Sequence, residues 1–277
     1  MTTVPRIQLS DGTSIPQLGL GTYKLDDDSV VPVIHEALEI GYRHIDTAKI
    51  YRNETGVGRA IATSGIARDD LYVTTKLWND DHLQARSAIE ASLERLGLDH
   101  VDLYLVHWPF HSAGTAARAW EQMVEIREAG LATSIGVSNF LPEHLDAIAA
   151  VSDVVPVINQ IEVHPLLQQA ELRAECAARG IRVESWGPLG HGSVSLAEEL
   201  PQLAAIADAH GKSVPQVVLR WHIEEGLIIF PKTAHSARLR ENFDIFDFAL
   251  SSDEMDAIRA LNQDRRVGVH PHEGNWS

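Results

Sequence analysis

Eight short apolar runs, rich in β-branched residues, recur along the chain at positions 18–23, 43–46, 71–76, 101–107, 133–137, 156–161, 182–186 and 227–230. Their starts lie roughly 22 to 45 residues apart, and the intervals hold segments of helical periodicity. In one interval Ile89, Leu93 and Leu96 fall at i, i+4 and i+7, with Glu90, Glu94 and Arg95 elsewhere on the turn. In another, Ser213 reads as an N-cap, with Pro215 in the first turn and Val217, Val218 and Trp221 behind it. Strands that alternate with helices must pair in parallel. No linker rich in Pro, Gly or Ser and no low-complexity tract divides the chain. The pattern predicts an α/β protein, a (β/α)8 TIM barrel forming one domain over residues 1–277, close to the usual size of about 250 residues.

Two segments fall outside the alternation. Positions 7–9 and 14–17 flank Asp11-Gly12, a strong hairpin signal, and such a hairpin would cap the closed bottom of the barrel. Near the other end, Ser251-Ser252-Asp253-Glu254 opens an extra amphipathic helix predicted to run through Leu261. The tail from Gln263 to Ser277 is irregular and is placed to fold over a site.

Charge narrows the partners. Thirty-nine acidic against 23 basic residues leave a formal charge of −16, which repels phosphate backbones and argues against nucleic acid. No apolar stretch approaches the ~20 residues of a membrane helix. The start, Met1-Thr2-Thr3-Val4-Pro5, lacks the basic and apolar regions of a secretory signal, and the single Cys176 forms no intrachain disulfide. The expectation is a cytoplasmic monomer whose partner is a small molecule, with no membrane contact.

What ends each strand is more specific. The second run ends on Asp46, the third on Lys76 and the fourth on His107-Trp108. The fifth leads into Ser138-Asn139, the sixth contains Asn159-Gln160, the seventh ends on Trp186 and the eighth leads into Lys232. In a parallel barrel all of these converge on the carboxyl-terminal mouth, where barrel enzymes keep their chemistry. Asp46, Tyr51, Lys76 and His107 then form a candidate unit. A buried lysine paired with a carboxylate keeps its charge and is expected to lower the phenol pKa of Tyr51. Tyr51 would protonate a carbonyl oxygen, and His107 would give that oxygen a second hydrogen bond.

Such chemistry needs a hydride donor. No glycine-rich dinucleotide turn follows the first strand, where Gly19-Leu20-Gly21 continues into Thr22. Ala209-His210-Gly211-Lys212-Ser213 mimics a phosphate loop, but Ile206 stands at its first glycine. A different nucleotide pocket is suggested by Trp186-Gly187-Pro188-Leu189-Gly190-His191-Gly192, whose indole can stack on a nicotinamide and whose glycines admit a pyrophosphate. Lys232 and Arg238, with Glu241-Asn242 a turn later, fit a 2′-phosphate. A metal is not expected. His107 and His111 are split by Trp108-Pro109, and His270 and His272 lie in the tail without an evident companion cluster.

Together these motifs resemble the aldo-keto reductases over nearly the whole chain, most of all the bacterial branch that contains 2,5-diketo-D-gluconate reductase. The resemblance is carried by Gly41-Tyr42-Arg43-His44-Ile45-Asp46-Thr47-Ala48 with Tyr51, Asn53 and Glu54, and by Thr75-Lys76-Leu77-Trp78-Asn79. It continues through Asp102 to Pro109, Gly136 to Phe140, Asn159 to Glu162, and Pro231-Lys232 through Asn242. It implies metal-free hydride transfer from NADPH, with NADH a weaker substitute, to a diketogluconate-like keto acid, methylglyoxal or another small carbonyl. Tyr51 is then the general acid, Lys76 and Asp46 tune it, and His107 orients the carbonyl. The implied cofactor set is Ser138, Asn139, Gln160, Trp186, Gly187, Leu189, Gly192, Lys232, Thr233, His235, Arg238, Glu241 and Asn242. Tyr23, Trp78, Asn79 and Trp108 are the implied substrate walls. Lys49 and Arg52 replace the smaller residues usual in relatives, and His235 stands where close relatives often have arginine. The competing expectation is an NADPH-binding redox sensor or regulatory subunit with little turnover.

Overall fold

The computed structural model describes residues 4–275; the first residues of the N-terminal stretch and the last two of the tail lie outside the described residues. Among the described residues ten strands form two sheets. β1 (Arg6–Gln8) and β2 (Ser14–Pro16) make an antiparallel hairpin whose turn needs the φ of 88° at Gly12, a conformation open to glycine. The other eight are β3 (Leu20–Gly21), β4 (His44–Asp46), β5 (Tyr72–Leu77), β6 (Val101–Val106), β7 (Ala132–Ser138), β8 (Ile158–Glu162), β9 (Arg182–Trp186) and β10 (Ile228–Ile229). They pair in sequence order, all parallel.

The sheet closes on itself just before β3. Leu18 bridges Ile229 in parallel, Gly19 N–H donates to Ile229 O at 2.7 Å, and Ile229 N–H donates to Gln17 O at 3.0 Å. The predicted (β/α)8 order is therefore present, with strand ends displaced by a residue or two from the apolar runs.

Among the described residues eleven α-helices accompany the strands: α1 (Val30–Ile40), α2 (Glu54–Thr63), α3 (Ala85–Leu96), α4 (Ala116–Glu128), α5 (Pro142–Ala149), α6 (Ala170–Ala178), α7 (Leu196–Glu199), α8 (Gln202–His210), α9 (Val214–Glu224), α10 (Ser236–Phe243) and α11 (Ser252–Arg259). In α3 the predicted stripe is the buried one, since Ile89, Leu93 and Leu96 all face the core. Ser213 caps α9 in a reciprocal capping box with Gln216, and Ser251 does the same for α11 with Glu254. α11 stops at Arg259, short of the predicted Leu261. The phosphate-loop mimic is structural: Gly211 ends α8 at a φ of 62°, and Lys212 is paired with Asp244 and Asp247.

The hairpin plugs the lower end of the barrel. Leu9 and Ile15 pack with Tyr72, Leu103, Val157, Ile158 and Ile228 at the early residues of the strands. Ser134 Oγ–H donates to Asp11 Oδ2 at 2.7 Å and pins the turn beneath β7. The tail runs to the opposite end. Gln263 and Arg265 N–H both donate to Leu166 O, and Val267 and Gly268 N–H donate to the carboxylate of Glu162 at the carboxyl end of β8. Among the described residues no helix is long and apolar enough to cross a membrane.

Candidate active site

Period-two alternation stacks the inward side chains of the barrel in layers. His44 and Asp46 both point inward from β4, as do Thr74 and Lys76 from β5. The upper layer is built around Lys76, fully buried, whose Nζ donates to Asp46 Oδ1 at 2.7 Å and Thr47 O at 2.8 Å. Its third contact is Tyr51 Oη at 3.4 Å. Tyr51 arrives from the short 3₁₀ turn Lys49–Tyr51 after β4, and that turn is closed by Arg52 in the left-handed region, φ 57°. His107, just beyond β6, sets its ring edge-on to Tyr51 at 5.9 Å and to Trp78 at 5.3 Å. Asp46, Tyr51, Lys76 and His107 thus come together at the carboxyl mouth.

Their protonation follows from burial and charge. Burial opposes the charge on Lys76, but Asp46 and then Tyr51 outweigh it and raise the lysine pKa. His107 is held well below the usual imidazole value by burial and then by Lys76, so it is neutral. Tyr51 departs from the expectation of a lowered pKa. Burial pushes it up to about 12, Lys76 pulls it down, and Asp46 offsets part of that pull. The long contact and the neutralising partner explain the reversal, and they leave a protonated phenol that can act as a donor.

Beneath this layer lies a group that the motifs did not single out. Gln160 Nε2 donates to Asp46 Oδ2 and to Glu184 Oε2, both at 2.9 Å, and Glu184 is fully buried. Burial, with the charge of Asp46, raises Glu184 to about 8. His44, 3.8 Å from Glu184 Oε1, is driven down to about 3 by burial and Lys76. With Glu184 and His44 neutral, Lys76 and Asp46 balance each other inside the barrel. The signal for Glu184 was its place two residues before Trp186 on the same inward face of β9.

The other predicted residues occupy two regions. Ser138 Oγ–H donates to Gln160 O at 2.8 Å, Asn139 Nδ2–H to His107 O at 3.0 Å, and Trp186 Nε1–H to Asn139 Oδ1 at 2.9 Å. Asn139 holds this position at a φ of 63°. The loop after Trp186 brings Gly187, Leu189 and Gly192 past His191, whose ring stacks on Tyr23 at 5.5 Å and meets Trp186 edge-on at 5.5 Å. Sequence reasoning gave His191 no role.

Across the mouth, the loop after β10 carries Lys232 and Thr233, and α10 begins after His235 and contains Arg238, Glu241 and Asn242. His235 N–H donates to Thr233 Oγ1 at 3.1 Å, whereas Glu241 accepts from the α9 cap Ser213. Among the described residues Lys232 and Arg238 have no ion-pair partner, and both are exposed. Tyr23, tilted on Tyr51 at 5.0 Å, faces the mouth together with buried Trp78, Asn79 and Trp108.

The tail reaches this wall as predicted. Asn79 Nδ2–H donates to Gly274 O at 3.4 Å, and a Cβ at Gly274 would lie 2.5 Å from the Trp108 ring, so backbone rests directly on the indole. One expectation fails outright. His272 does have companions, because the fold brings it against His111 and His144. Residues 111, 144 and 272 meet only through the docking of the tail, which no local spacing reveals. Of the two unusual basic residues, Lys49 pairs with Asp81, while Arg52 is exposed. Both line a cavity of about 480 Å³ that touches Trp78 but none of the Asp46, Tyr51, Lys76 and His107 group.

A closed parallel barrel with its polar cluster at the carboxyl mouth is the architecture of a barrel enzyme. The chain belongs to the aldo/keto reductase family, whose model matches residues 17–263. The methylglyoxal reductase DkgA of Escherichia coli (strain K12) is 45% identical over 267 residues, covering 96% of this chain and 97% of its own. An aldo/keto reductase structure from Brucella melitensis superimposes with a TM-score of 0.90 at 49% identity, covering 94% of this chain and 99% of that one. A variant of Gox0644 solved in complex with NADPH gives a TM-score of 0.92 at 41% identity over 98% of each chain.

Proposed function

We propose that the chain is an NADPH-dependent reductase of small aldehydes and ketones, working as a cytoplasmic monomer with the barrel as its one domain. The observation that carries the reading is the buried Lys76 ammonium, which spends its three donors on Asp46, Thr47 O and Tyr51. Such an arrangement fixes a phenol at the mouth and gives it a permanently charged neighbour.

The residues present fit the cofactor. Among the described residues Lys232 and Arg238 lack ion-pair partners, and they flank the open amino-terminal end of α10, where N–H groups favour a phosphate. Gln160 uses its amide nitrogen on Asp46 and Glu184, which leaves Oε1 as the acceptor for a carboxamide. Trp186, oriented by its bond to Asn139, offers an indole face. Bound NADPH would supply the hydride.

The remaining work falls to the chain. Tyr51 holds a proton that passes to the carbonyl oxygen as negative charge develops there, and Lys76 stabilises the phenolate left behind. Neutral His107 donates a hydrogen bond to the same oxygen and so sets the carbonyl in line. Tyr23, Trp78 and Trp108 exclude water, and the tail at Gly274 narrows the pocket to small carbonyls. Methylglyoxal and keto acids of sugar size are the substrate classes of choice, in keeping with the name of the Escherichia coli relative.

Tyr51→Phe removes only the transferable proton. It should bind NADPH as the parent does and lose carbonyl reduction by roughly 10²- to 10⁴-fold. Full turnover by that variant would exclude Tyr51 as the acid. Tight NADPH binding by the parent chain, with no carbonyl reduced, would move the reading to a regulatory subunit.

A further inference from the structure

Three histidines outside the catalytic group meet on the rim of the barrel. His111 comes from the loop after β6, His144 from the first turn of α5, and His272 from the tail. One ring nitrogen of each lies within 4.8 Å of the others. His111 Nδ1 and His144 Nε2 are 3.1 Å apart, and the His111 and His272 rings are 4.5 Å apart between centroids.

The second contacts of these rings matter as much as the first. His272 Nε2 lies 2.7 Å from Glu143 Oε1. A carboxylate that holds one ring nitrogen as a donor leaves the other as a base, the arrangement that supports metal-bound imidazoles. His144 Nδ1 accepts from Leu141 N–H at 3.1 Å, which turns Nε2 toward His111. His144 is buried while His111 and His272 are exposed, so the site has a fixed floor and an open approach.

We propose that His111, His144 and His272 form a binding site for a divalent transition-metal ion of the zinc type, which clips the carboxyl-terminal tail to the rim of the barrel. Three imidazoles leave a fourth tetrahedral position for water. Zinc–nitrogen bonds of about 2.0–2.1 Å set ligand nitrogens roughly 3.3 Å apart in that geometry. The His111–His144 pair already has this spacing, and the His272 ring has to approach by no more than about 1.5 Å. The ion takes the place of the hydrogen bond between His144 Nε2 and His111 Nδ1. The single proton of neutral His144 moves from Nε2 to Nδ1, and the Leu141 hydrogen bond is given up. That loss selects for ions with strong imidazole affinity over magnesium or calcium.

The clip bears on the mouth of the barrel. His272 lies two residues before Gly274, whose backbone rests on Trp108 and accepts from Asn79. An ion on the three histidines therefore holds the tail against that wall.

The test uses the full chain stripped with a chelator and titrated with zinc(II) by calorimetry, with hydrogen exchange of residues 267–275 followed in parallel. Wild type should bind one ion per chain and show slower tail exchange when loaded. His111→Ala and His272→Ala should each weaken binding by roughly 10- to 100-fold and abolish the slowing, while His100→Ala behaves as wild type. Neither reading depends on turnover. Undiminished binding in both rim variants, or bound zinc that leaves tail exchange unchanged, would overturn the clip.

Discussion

At position 184 a carboxylic acid sits where no water reaches it, hydrogen-bonded to Gln160 and 3.8 Å from His44. Burial first and the Asp46 charge second raise it from 4.5 to about 8. The group is therefore protonated when folded and ionised when unfolded across that interval. The unfolded chain binds fewer protons there, so the contribution to stability is complete below about pH 4.5 and lost as pH rises toward 8. Each pH unit is worth at most about 1.4 kcal/mol, or a few kcal/mol over the window. Glu184→Gln keeps an oxygen and loses the titration. Its urea-unfolding free energy, taken as the difference from that of the parent, should rise steadily between pH 5 and pH 8. Parallel curves for the two proteins would show that Glu184 is already ionised in the folded chain.

Among the elements, legibility in the sequence followed the range of the interaction. Strands such as β7, with Thr133, Ile135 and Val137, announce themselves by β-branched residues, and α9 and α11 by Ser213 and Ser251 three residues before Gln216 and Glu254. These are signals confined to a few neighbouring positions. Asp46, Lys76 and His107 were readable because a parallel barrel carries all its strand ends to one mouth. The depth of Glu184, the raised pKa of Tyr51 and the company kept by His272 depend on packing between distant segments, and no local pattern encodes them. The tail shows this most clearly. Glu162, at the end of β8, accepts from Val267 and Gly268 N–H and pairs with Arg266, so one buried carboxylate anchors the segment above the barrel. Gly268 then lies so close to Trp186 that a Cβ would stand 2.2 Å from the indole and 2.9 Å from Glu162 Oε2. Gly268→Ala should push the tail or the indole aside. A several-fold weaker NADPH affinity by fluorescence is expected, with the urea midpoint nearly unchanged because the barrel core is untouched. Equal affinity would mean that the indole face is not part of the cofactor pocket.

For the molecule as a whole, the buried histidines set the response to acid. His44, His82, His107 and His222 lie in or beside β4, the turn before α3, β6 and α9, and all four are buried. Burial is the first cause of the depression in each. It takes His44 to about 3, His82 and His222 to about 4, and His107 well below the usual value. In the unfolded chain these rings accept protons near 6.5. Their contribution to stability is therefore fully present above that pH and is lost as pH falls toward the folded values. Glu184 acts in the opposite sense, gaining as pH falls from 8. Four groups oppose one at up to about 1.4 kcal/mol per pH unit each, so the histidines win. Unfolding free energy from urea titration should drop by several kcal/mol between pH 7 and pH 5, and His222→Gln should shallow that slope even though it disturbs the ring's seat between the Val218 and Val163 carbonyls. A free energy that holds level over those two pH units would mean that these imidazoles already carry protons in the folded barrel.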